Sequence, residues 1–312
     1  MQSSFDYSRF KAEINLTQYA AHLGYEIDRK KSTRSSIAMR NGADKIIISR
    51  RGALWVYFSV SDDSDNGTII DFAEKRTNKS LKEIGQDLQS WIGGCVPLPA
   101  PQHYVGDVEE QSFDPKRVMM IFRKCRVIKA HPYLEGRGLK DSLLSSPRFI
   151  GRIYKDRYGN VAFPHYNENG LCGLELKNTD RALFVRGSEK TFWRSNIRAG
   201  DDTLILGEAV IDALSYATLF SNENAVYGAT GGGMSPEQAA LIGFFLKNRP
   251  TLKRIILITD NDDGGDRLTD KILDAIKTSG FCSEVMRHSP DRRGDDWNDV
   301  LTTQPTIERI KP

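Results

Sequence analysis

The chain has 312 residues, of which 39% are hydrophobic and 27% charged, and this composition excludes a disordered or collagen-like protein. No apolar run is long enough to span a membrane and residues 1–20 contain no apolar leader, which predicts a cytoplasmic protein without a membrane partner. The net charge is only +3, but residues 116–198 carry 18 Lys and Arg against 7 Asp and Glu. A basic region beside an acidic remainder is typical of a protein that attracts a polyanion and holds a divalent cation, and an uneven surface charge explains it equally well.

Residues 1–94 predict a small α+β domain. Apolar residues at helical spacing predict a helix that ends at Gly24, and two β-rich runs at 45–49 and 54–60 predict a hairpin. Helical segments at 69–76 and 81–91 follow. Closely spaced prolines then predict a linker over residues 95–112, because proline removes backbone donors and favours extended chain.

Residues 113–200 are predicted to form a basic second domain, with a helical segment at 115–129 and then a small sheet of hairpins. From residue 201 to residue 312 the pattern changes to alternating strands and helices. The strands are predicted at 203–206, 225–227, 255–259 and 282–286, and the helices at 209–220, 236–247 and 266–279. This alternation predicts a parallel sheet with helices on both faces, so the fold class is α/β.

Acidic residues follow two of the predicted parallel strands. Glu208 comes after the first strand, and Asp260 and Asp262 come after the third. Ligands of such sheets bind beyond the carboxyl ends of the strands, so neighbouring strands would bring these carboxylates into one cluster. Oxygen ligands without nearby His or Cys favour Mg²⁺ or Mn²⁺. Taken alone, an Asp-rich loop is more often a turn or a helix cap.

Four segments resemble the motifs of the Toprim domain: Gly207-Glu208-Ala209, Ile211-Asp212-Ala213-Leu214, Asp260-x-Asp262-x-Gly264-Gly265 and Asp296-Trp297-Asn298-Asp299. This metal-binding fold is shared by bacterial DnaG-type primases, topoisomerases and some nucleases, and the resemblance covers about residues 201–305. It implies a Rossmann-like sheet in which Asp260 and Asp262 hold magnesium and Glu208 acts in acid–base or metal chemistry. Asp296 would be a further metal ligand, while Asn298 stands where primases often carry an acidic residue, which leaves a second metal open.

Segments before the Toprim-like region resemble the core of the same primases. Residues 131–139 are similar to a "YL..RGL" segment, 160–177 to the hairpin that follows it, and 184–195 to the stretch before Toprim. Primases hold template and incoming nucleotide with basic residues of this subdomain. The resemblance therefore assigns nucleotide or template binding to Lys177, Arg186, Lys190 and Arg137. Solvated surface charge is the alternative for each of them.

Residues 66–72 and 80–84 resemble the zinc-binding domain of primases, but the ligand Cys and His residues are missing. The four cysteines, at positions 95, 125, 172 and 282, lie far apart and form no zinc-binding pattern, so no zinc is expected. We therefore expect a zinc-ribbon-like domain without metal. It would contact single-stranded DNA through Arg50, Arg51, Trp55 and Tyr57. Trp55 and Tyr57 share a strand face and could equally belong to the core.

Together these resemblances imply a DNA primase-like nucleotidyltransferase, similar to Toprim proteins of plasmids and other mobile elements. It would make short primers on single-stranded DNA from nucleoside triphosphates, with a primer 3′ hydroxyl attacking the α-phosphate and one or two metal ions stabilising the attacking and leaving oxygens. A replicative helicase is a further candidate partner. Two alternatives stay open: a Toprim nuclease that uses the same cluster, and a catalytically inactive nucleic-acid-binding accessory protein. The enzyme interpretations require Glu208 to lie close to Asp260 and Asp262.

Overall fold

The computed structural model describes residues 5–33, 35–62, 65–93, 113–179 and 182–303. The chain divides into two compact units, Met1–Ser112 and Phe113–Pro312, which are described separately below as unit 1 and unit 2. The linker predicted at 95–112 lies outside the described residues. None of the helices in the described part of the chain combines the length and the apolar character that crossing a membrane requires.

Unit 1 consists of a five-stranded antiparallel sheet and four helices. The helices are α1 (Tyr7–Glu13), α2 (Leu16–His22), α3 (Ile69–Thr77) and α4 (Leu81–Ile92). The strands pair in the order β1 (Glu26–Ile27), β2 (Ser36–Asn41), β3 (Asp44–Arg51), β4 (Leu54–Ser59) and β5 (Asn66–Gly67). The predicted hairpin is confirmed as β3 and β4, and the helices predicted at 69–76 and 81–91 are confirmed as α3 and α4.

Unit 2 begins with helix α5 (Pro115–Phe122) and a second five-stranded antiparallel sheet. Its remaining elements in chain order are β6 (Arg126–Val127), α6 (Pro132–Glu135), α7 (Asp141–Leu144), β7 (Tyr154–Lys155), β8 (Val161–Asn167), β9 (Gly170–Lys177) and β10 (Ala182–Phe184). The helix predicted at 115–129 is too long, because the chain leaves the helix after Phe122 and pairs with β7 as strand β6. Pairing with a distant segment here outweighs the local helical pattern.

The rest of unit 2 is the predicted parallel sheet with its helices. In chain order the elements are β11 (Trp193–Arg194), β12 (Thr203–Gly207), α8 (Val210–Leu219), β13 (Ala225–Ala229), α9 (Pro236–Lys247), β14 (Arg254–Ile258), α10 (Asp263–Ser279), β15 (Glu284–Arg287) and α11 (Trp297–Thr303). The strand order is β11-β13-β12-β14-β15, and only β11 runs antiparallel to its neighbour. The predicted α/β fold class is confirmed.

Apolar residues on both faces of β12 explain why this strand lies at the centre of the sheet. Ile205 contributes to a core formed with α8, α11 and the antiparallel sheet, whereas Leu204 and Leu206 contribute to a second core formed with α9 and α10. Successive side chains of a strand point to opposite faces, so a continuous apolar run is buried on both. The first core also contains Phe163 and Trp193, so it continues from the antiparallel sheet into the parallel one. The domain boundary predicted at residue 200 stays a prediction.

Candidate active site

Glu208 lies at the carboxyl end of the central strand β12. The last residue of that strand, Gly207, pairs with Ala229 of β13 on one side and with Ile258 of β14 on the other. The chain therefore reverses its direction of travel across the sheet at β12, and such a switch point opens a crevice at the carboxyl ends of the strands. Because β12 pairs with β14, Glu208 and the Asp260 loop follow neighbouring strands, which is the condition for the predicted acidic cluster.

A glycine loop after β13 packs against the backbone of Glu208. The amides of Gly231 and Gly232 donate hydrogen bonds to the Glu208 carbonyl, at 2.8 and 3.1 Å. Both glycines have positive φ values, of 71° and 93°, which residues with a side chain rarely adopt. The sequence analysis missed this loop, although three consecutive glycines directly after a strand were a readable signal.

Asp260 is half-buried at the end of β14, and four acidic neighbours act on it. Its Oδ1 atom is buried without a hydrogen-bond partner. Burial raises the pKa of Asp260 to about 8, with further increases from the charges of four other carboxylates, in order of effect Asp212, Glu208, Asp296 and Asp262. The structure thus brings the four predicted acidic residues together, and Asp212 joins them.

Asp262 plays a visible structural part in this cluster. Its side chain is the N-cap of α10 and accepts a hydrogen bond of 2.7 Å from the Gly265 amide. The residue itself is exposed. A carboxylate at a helix N-terminus is favourable because it satisfies an unpaired amide and interacts with the helix dipole. The cap accounts for this residue type without a metal, so its role as a ligand stays a prediction.

Asp212 is an acidic residue that the sequence analysis did not select for the site. It lies in the first turn of α8, is 4% exposed, and accepts a hydrogen bond of 3.3 Å from the Ala209 amide. Burial raises its pKa to about 7, and the charges of Asp296 and Glu208 add to the increase while that of Lys177 opposes it. The signal was its position four residues after Glu208, one helical turn beyond the strand end.

The donor chemistry of these carboxylates suits a hard divalent cation, whereas their arrangement here is not that of a formed metal site. No group of three or more His, Cys, Asp or Glu side chains within the described ranges is placed to hold a metal ion. Burial and then repulsion between the carboxylates nevertheless raise the pKa values of Asp212 and Asp260, and Asp260 has a buried oxygen without a partner. A divalent cation would relieve both.

A cavity of about 340 Å³ adjoins the acidic cluster. Two of the predicted nucleotide-binding residues, Arg137 and Lys177, line it together with the acidic Asp212 and Asp296. The other residues of its wall are Tyr133, Asn178, Thr179, Ala182, Ala209 and Ile211. Positive and negative side chains therefore face one cavity, which is the arrangement that a complex of phosphate and divalent cation requires.

Arg186 and Lys190, the other two predicted basic residues, are not among the described residues that line this cavity. Arg186 is exposed in the turn after β10. Lys190 extends to the glycine loop after β13, where its Nζ donates a hydrogen bond of 2.7 Å to the Gly233 carbonyl. Lys190 thus lies on the Glu208 side of the site, and nucleotide or template binding by these two residues stays a prediction.

Asn298 holds Arg137 in the cavity wall across 161 positions of sequence. Its Nδ2 donates to the Arg137 carbonyl at 2.7 Å and to Ser215 Oγ at 3.0 Å, while its Oδ1 accepts from Arg137 Nη1 at 3.1 Å. The residue is 2% exposed. An acidic residue at this position could not make the two donated bonds, which explains why an amide occurs in the otherwise acidic segment 295–299.

We expect Asn298→Asp to destabilise the protein by about 1–3 kcal/mol, because two buried acceptors lose their donor. Chemical denaturation in urea measures the change. Asn248→Asp is the matched control, since Asn248 is exposed at the end of α9. Equal free energies of unfolding for the two variants would contradict the structural role given to Asn298.

The predicted DNA-binding role of Trp55 and Tyr57 in unit 1 is wrong in this structure. The two side chains are only 6% and 2% exposed, and they belong to the hydrophobic core of the unit. Tyr57 packs edge-to-face on Phe72, and its hydroxyl donates to Asp65. The helices of unit 1 cover this face of β4, so neither ring can stack on a base.

The two predicted arginines of unit 1 differ from each other. Arg50 is half-buried, and its guanidinium lies 5.4 Å from the centre of the Trp55 ring. Arg51 is exposed and pairs with Leu54 at the end of the hairpin. The sequence analysis overlooked the opposite face of β4, where Leu54, Phe58 and Val60 are 40%, 47% and 56% exposed.

Comparisons with known proteins agree with the position of this site. Residues 205–301 match a family model described as Toprim-like, and residues 132–208 match one described as "Protein of unknown function (DUF3991)". A search of the curated proteins found no match.

Three solved structures are similar to this chain at low sequence identity. The primase fragment of the bacteriophage T7 primase-helicase protein is 13% identical, with 67% of this chain and 84% of that chain covered and a TM-score of 0.44. The Aquifex aeolicus primase (zinc-binding and RNA polymerase domains) is 15% identical, with 96% and 82% covered and a TM-score of 0.38. The RNA polymerase domain of Mycobacterium tuberculosis primase DnaG is 17% identical, with 62% and 69% covered and a TM-score of 0.33.

The domain assignment therefore depends on the family match and on the topology of the sheet. The matched range begins inside β12, ends inside α11, and contains every acidic residue of the cluster. The Toprim resemblance inferred from the sequence is confirmed. Residues 205–301 of this chain match the Toprim-like family.

Proposed function

We propose that this protein is a primase-like nucleotidyltransferase that synthesises short primers on single-stranded DNA. The observation that supports the proposal is the cluster of Glu208, Asp212, Asp260 and Asp296 at the carboxyl ends of the parallel strands, next to a cavity lined by Arg137 and Lys177. Nucleoside triphosphates and single-stranded DNA are the proposed partners. A replicative helicase as a partner and a cytoplasmic location stay predictions.

In this proposal the acidic cluster holds Mg²⁺, with Glu208, Asp260 and Asp262 as principal ligands and Asp296 as a further one. When bound, the cation would supply positive charge to the phosphate oxygens of the nucleotide. The chain itself contributes Arg137 and Lys177, which bind and orient the triphosphate through charge-assisted hydrogen bonds. Asn298 keeps Arg137 in the wall of the cavity, so the guanidinium is oriented before the nucleotide arrives.

Primer synthesis on a single-stranded DNA template with nucleoside triphosphates and Mg²⁺ tests the proposal. The wild-type protein is expected to lengthen or create labelled strands, and Glu208→Gln is expected not to. Glu237→Gln, which changes an exposed residue at the start of α9, is the control and should retain synthesis. Shortening of the strands would instead establish the nuclease alternative. Binding without synthesis or cleavage would establish the accessory protein.

We propose that unit 1 contributes to single-strand binding through the outer face of its sheet. Phe58 lies in the middle of this face, opposite Ile47 of β3, with Leu54 and Arg51 paired at one end. Next to Val60 at the other end is Lys45, whose carbonyl accepts a hydrogen bond from the Val60 amide. An exposed aromatic ring between basic side chains is the usual composition of a surface on which bases stack.

Phe58→Ala is expected to weaken binding of single-stranded DNA by roughly tenfold, because a stacked base contributes about 1–3 kcal/mol. Fluorescence anisotropy with a labelled oligonucleotide measures this. Phe244→Ala, which removes an equally exposed ring from α9, should leave the affinity unchanged. An unchanged affinity in Phe58→Ala would show that the outer face of the sheet does not bind DNA.

A further inference from the structure

The ammonium group of Lys177 has two sets of carboxylates within its surroundings. Glu175 is one, and Asp212 and Asp296 of the acidic cluster are the other. Lys177 is the last residue of β9, and its Nζ lies 3.4 Å from Glu175 Oε1. Lys177 also lines the same cavity as Asp212 and Asp296, so its charge is attracted to the acidic cluster as well. The lysine side chain is flexible, so the carboxylate that attracts it more strongly determines where its ammonium group lies.

Glu175 is a buried and ionised anchor. It precedes Lys177 by two positions in β9, so both side chains are on the same face of the strand. The residue is only 4% exposed. Burial alone would raise its pKa, but the neighbouring His165 and the charge of Lys177 lower the pKa below the usual range. The carboxylate therefore stays negative at neutral pH.

His165 lies behind Glu175 and is fully buried. It stands in β8 opposite Gly173, which makes it the diagonal neighbour of Glu175 on the same face of the sheet. Its Nε2 is 4.0 Å from Glu175 Oε2, and neither atom has a hydrogen-bond partner. Its Nδ1 lies 3.0 Å from the Thr191 carbonyl and 3.3 Å from the Thr191 hydroxyl. A proton on Nε2, directed at Glu175, is what favours the ionised carboxylate.

The same carbonyl connects His165 to the Glu208 side of the site. Gln238 is completely buried, and its Nε2 donates to the carbonyls of Thr191 and Thr230 at 2.9 and 2.8 Å. Thr230 in turn donates from its amide to the Gly207 carbonyl at 3.0 Å. Buried hydrogen bonds therefore run from the end of β12 through Thr230, Gln238 and the Thr191 carbonyl to His165, whose Nε2 lies 4.0 Å from Glu175. Buried polar networks of this kind fix the relative position of the groups that they join.

Gly173 is the residue that allows this packing. A Cβ atom at this position would lie 2.2 Å from the Glu189 carbonyl oxygen and 3.2 Å from the Cβ of His165. Only a residue without a side chain lets the segment that carries Thr191 cross the sheet so closely.

We infer that Glu175 and His165 are positioning residues, which hold the Lys177 ammonium beside Glu175 rather than on Asp212 and Asp296 of the same cavity. This inference rests on the proposed function, because it takes the cavity as the site of the triphosphate. With Glu175 neutral, Lys177 would turn toward Asp212 and Asp296 and would be paired with these carboxylates instead of with the phosphates. A fixed cation binds an anion more tightly than a mobile one, because its side-chain entropy is already lost.

Binding of magnesium tripolyphosphate, measured by isothermal titration calorimetry without nucleic acid, tests the inference. Glu175→Gln is expected to raise the Kd about fivefold or more, although removal of a negative charge would by itself favour an anion. Glu175→Asp keeps the charge and should bind within about twofold of the wild type. Glu189→Gln is the matched control. It removes the same charge from a side chain that contacts Asn167, and should not weaken binding.

The outcomes separate this inference from the function on which it rests. Unchanged binding by Lys177→Met would contradict the cavity as the triphosphate site, and with it the proposed function. Weaker binding by Lys177→Met, with binding by Glu175→Gln as tight as that of the wild type or tighter, would overturn the positioning role alone. If Glu175→Gln does not fold, His165→Asn replaces it, since Glu175 then keeps its charge but loses its support. A Kd raised at least about twofold supports the inference, and an unchanged Kd overturns it.

Discussion

Replacing Asp260 with Asn is expected to abolish the proposed nucleotidyl transfer and, at the same time, to raise the melting temperature of the metal-free protein. Loss of a principal cation ligand should lower activity by at least about 100-fold. Mutating a residue that only hydrogen-bonds to a metal ligand already lowers metal affinity or activity about 10- to 100-fold. The gain in stability follows from the site itself. Burial and four neighbouring carboxylates raise the pKa of Asp260 to about 8.

The sign of the stability change depends on pH. The unfolded chain ionises Asp260 near its ordinary value of 3.8, whereas the folded protein resists ionisation up to about pH 8. The wild-type protein therefore loses stability as the pH rises through this interval, whereas the Asp260→Asn variant does not, because Asn does not ionise. We expect the melting temperature of the variant to exceed that of the wild type by roughly 3 °C or more at pH 8, and the difference to vanish near pH 4.

Differential scanning calorimetry in EDTA measures the stability, and primer synthesis in Mg²⁺ measures the activity. Asp270→Asn is a suitable control, because Asp270 is exposed in the same helix, α10, and lies outside the cluster. A metal-free Asp260→Asn protein that melts below the wild type at pH 8 would disprove the repulsion inferred for the acidic cluster. Full activity in that variant would disprove its role as a ligand.

Replacing Arg148 with Met is expected to destabilise unit 2 by about 3–5 kcal/mol, since it leaves a buried carboxylate without its partner. Arg148 and Asp201 are 7% and 6% exposed and are joined by two hydrogen bonds of 2.7 Å. The guanidinium also donates to the carbonyls of Asn196 and Glu223, each at 2.7 Å. This one side chain therefore joins the segment after α7 to the segment between β11 and β12 and to the turn before β13.

Urea denaturation measures this loss, and Arg254→Met supplies the comparison. Arg254 and Glu284 form an exposed pair whose side chains are 48% and 52% exposed, and such pairs contribute about 0–1 kcal/mol. Burial alone would raise the pKa of Asp201, but its bonds to Arg148 and to the Arg198 amide lower it below the usual range. The stability that the pair provides is thus present above the ordinary Asp pKa and is lost as the pH falls through the lowered value. Equal losses in the two Met variants would contradict the buried ion pair.

Local patterns in the sequence were sufficient for most of the secondary structure of the chain. The alternation after residue 201 predicted strands that the structure confirms as β12, β13, β14 and β15. It also placed Glu208 and Asp260 at strand ends, and the pairing of β12 with β14 brings these ends together. Periodicity did not reveal which face of β4 is buried. Trp55 and Tyr57 share one face by spacing alone, and only the packing of α3 against it decides that they are core residues.

What the sequence determined by itself is the alternation of elements and the acidic strand ends, because both depend on neighbouring residues and on the two-residue period of a strand. The tertiary structure decided which distant side chains share the cavity. Asn298 contacts Arg137 across 161 positions, and the pKa of Asp212 is raised because the fold buries it and brings it near the charge of Asp296. Contacts of this kind cannot be predicted from the periodicity of the sequence. The burial and the neighbouring charges that give each residue its role come from segments far away in the chain.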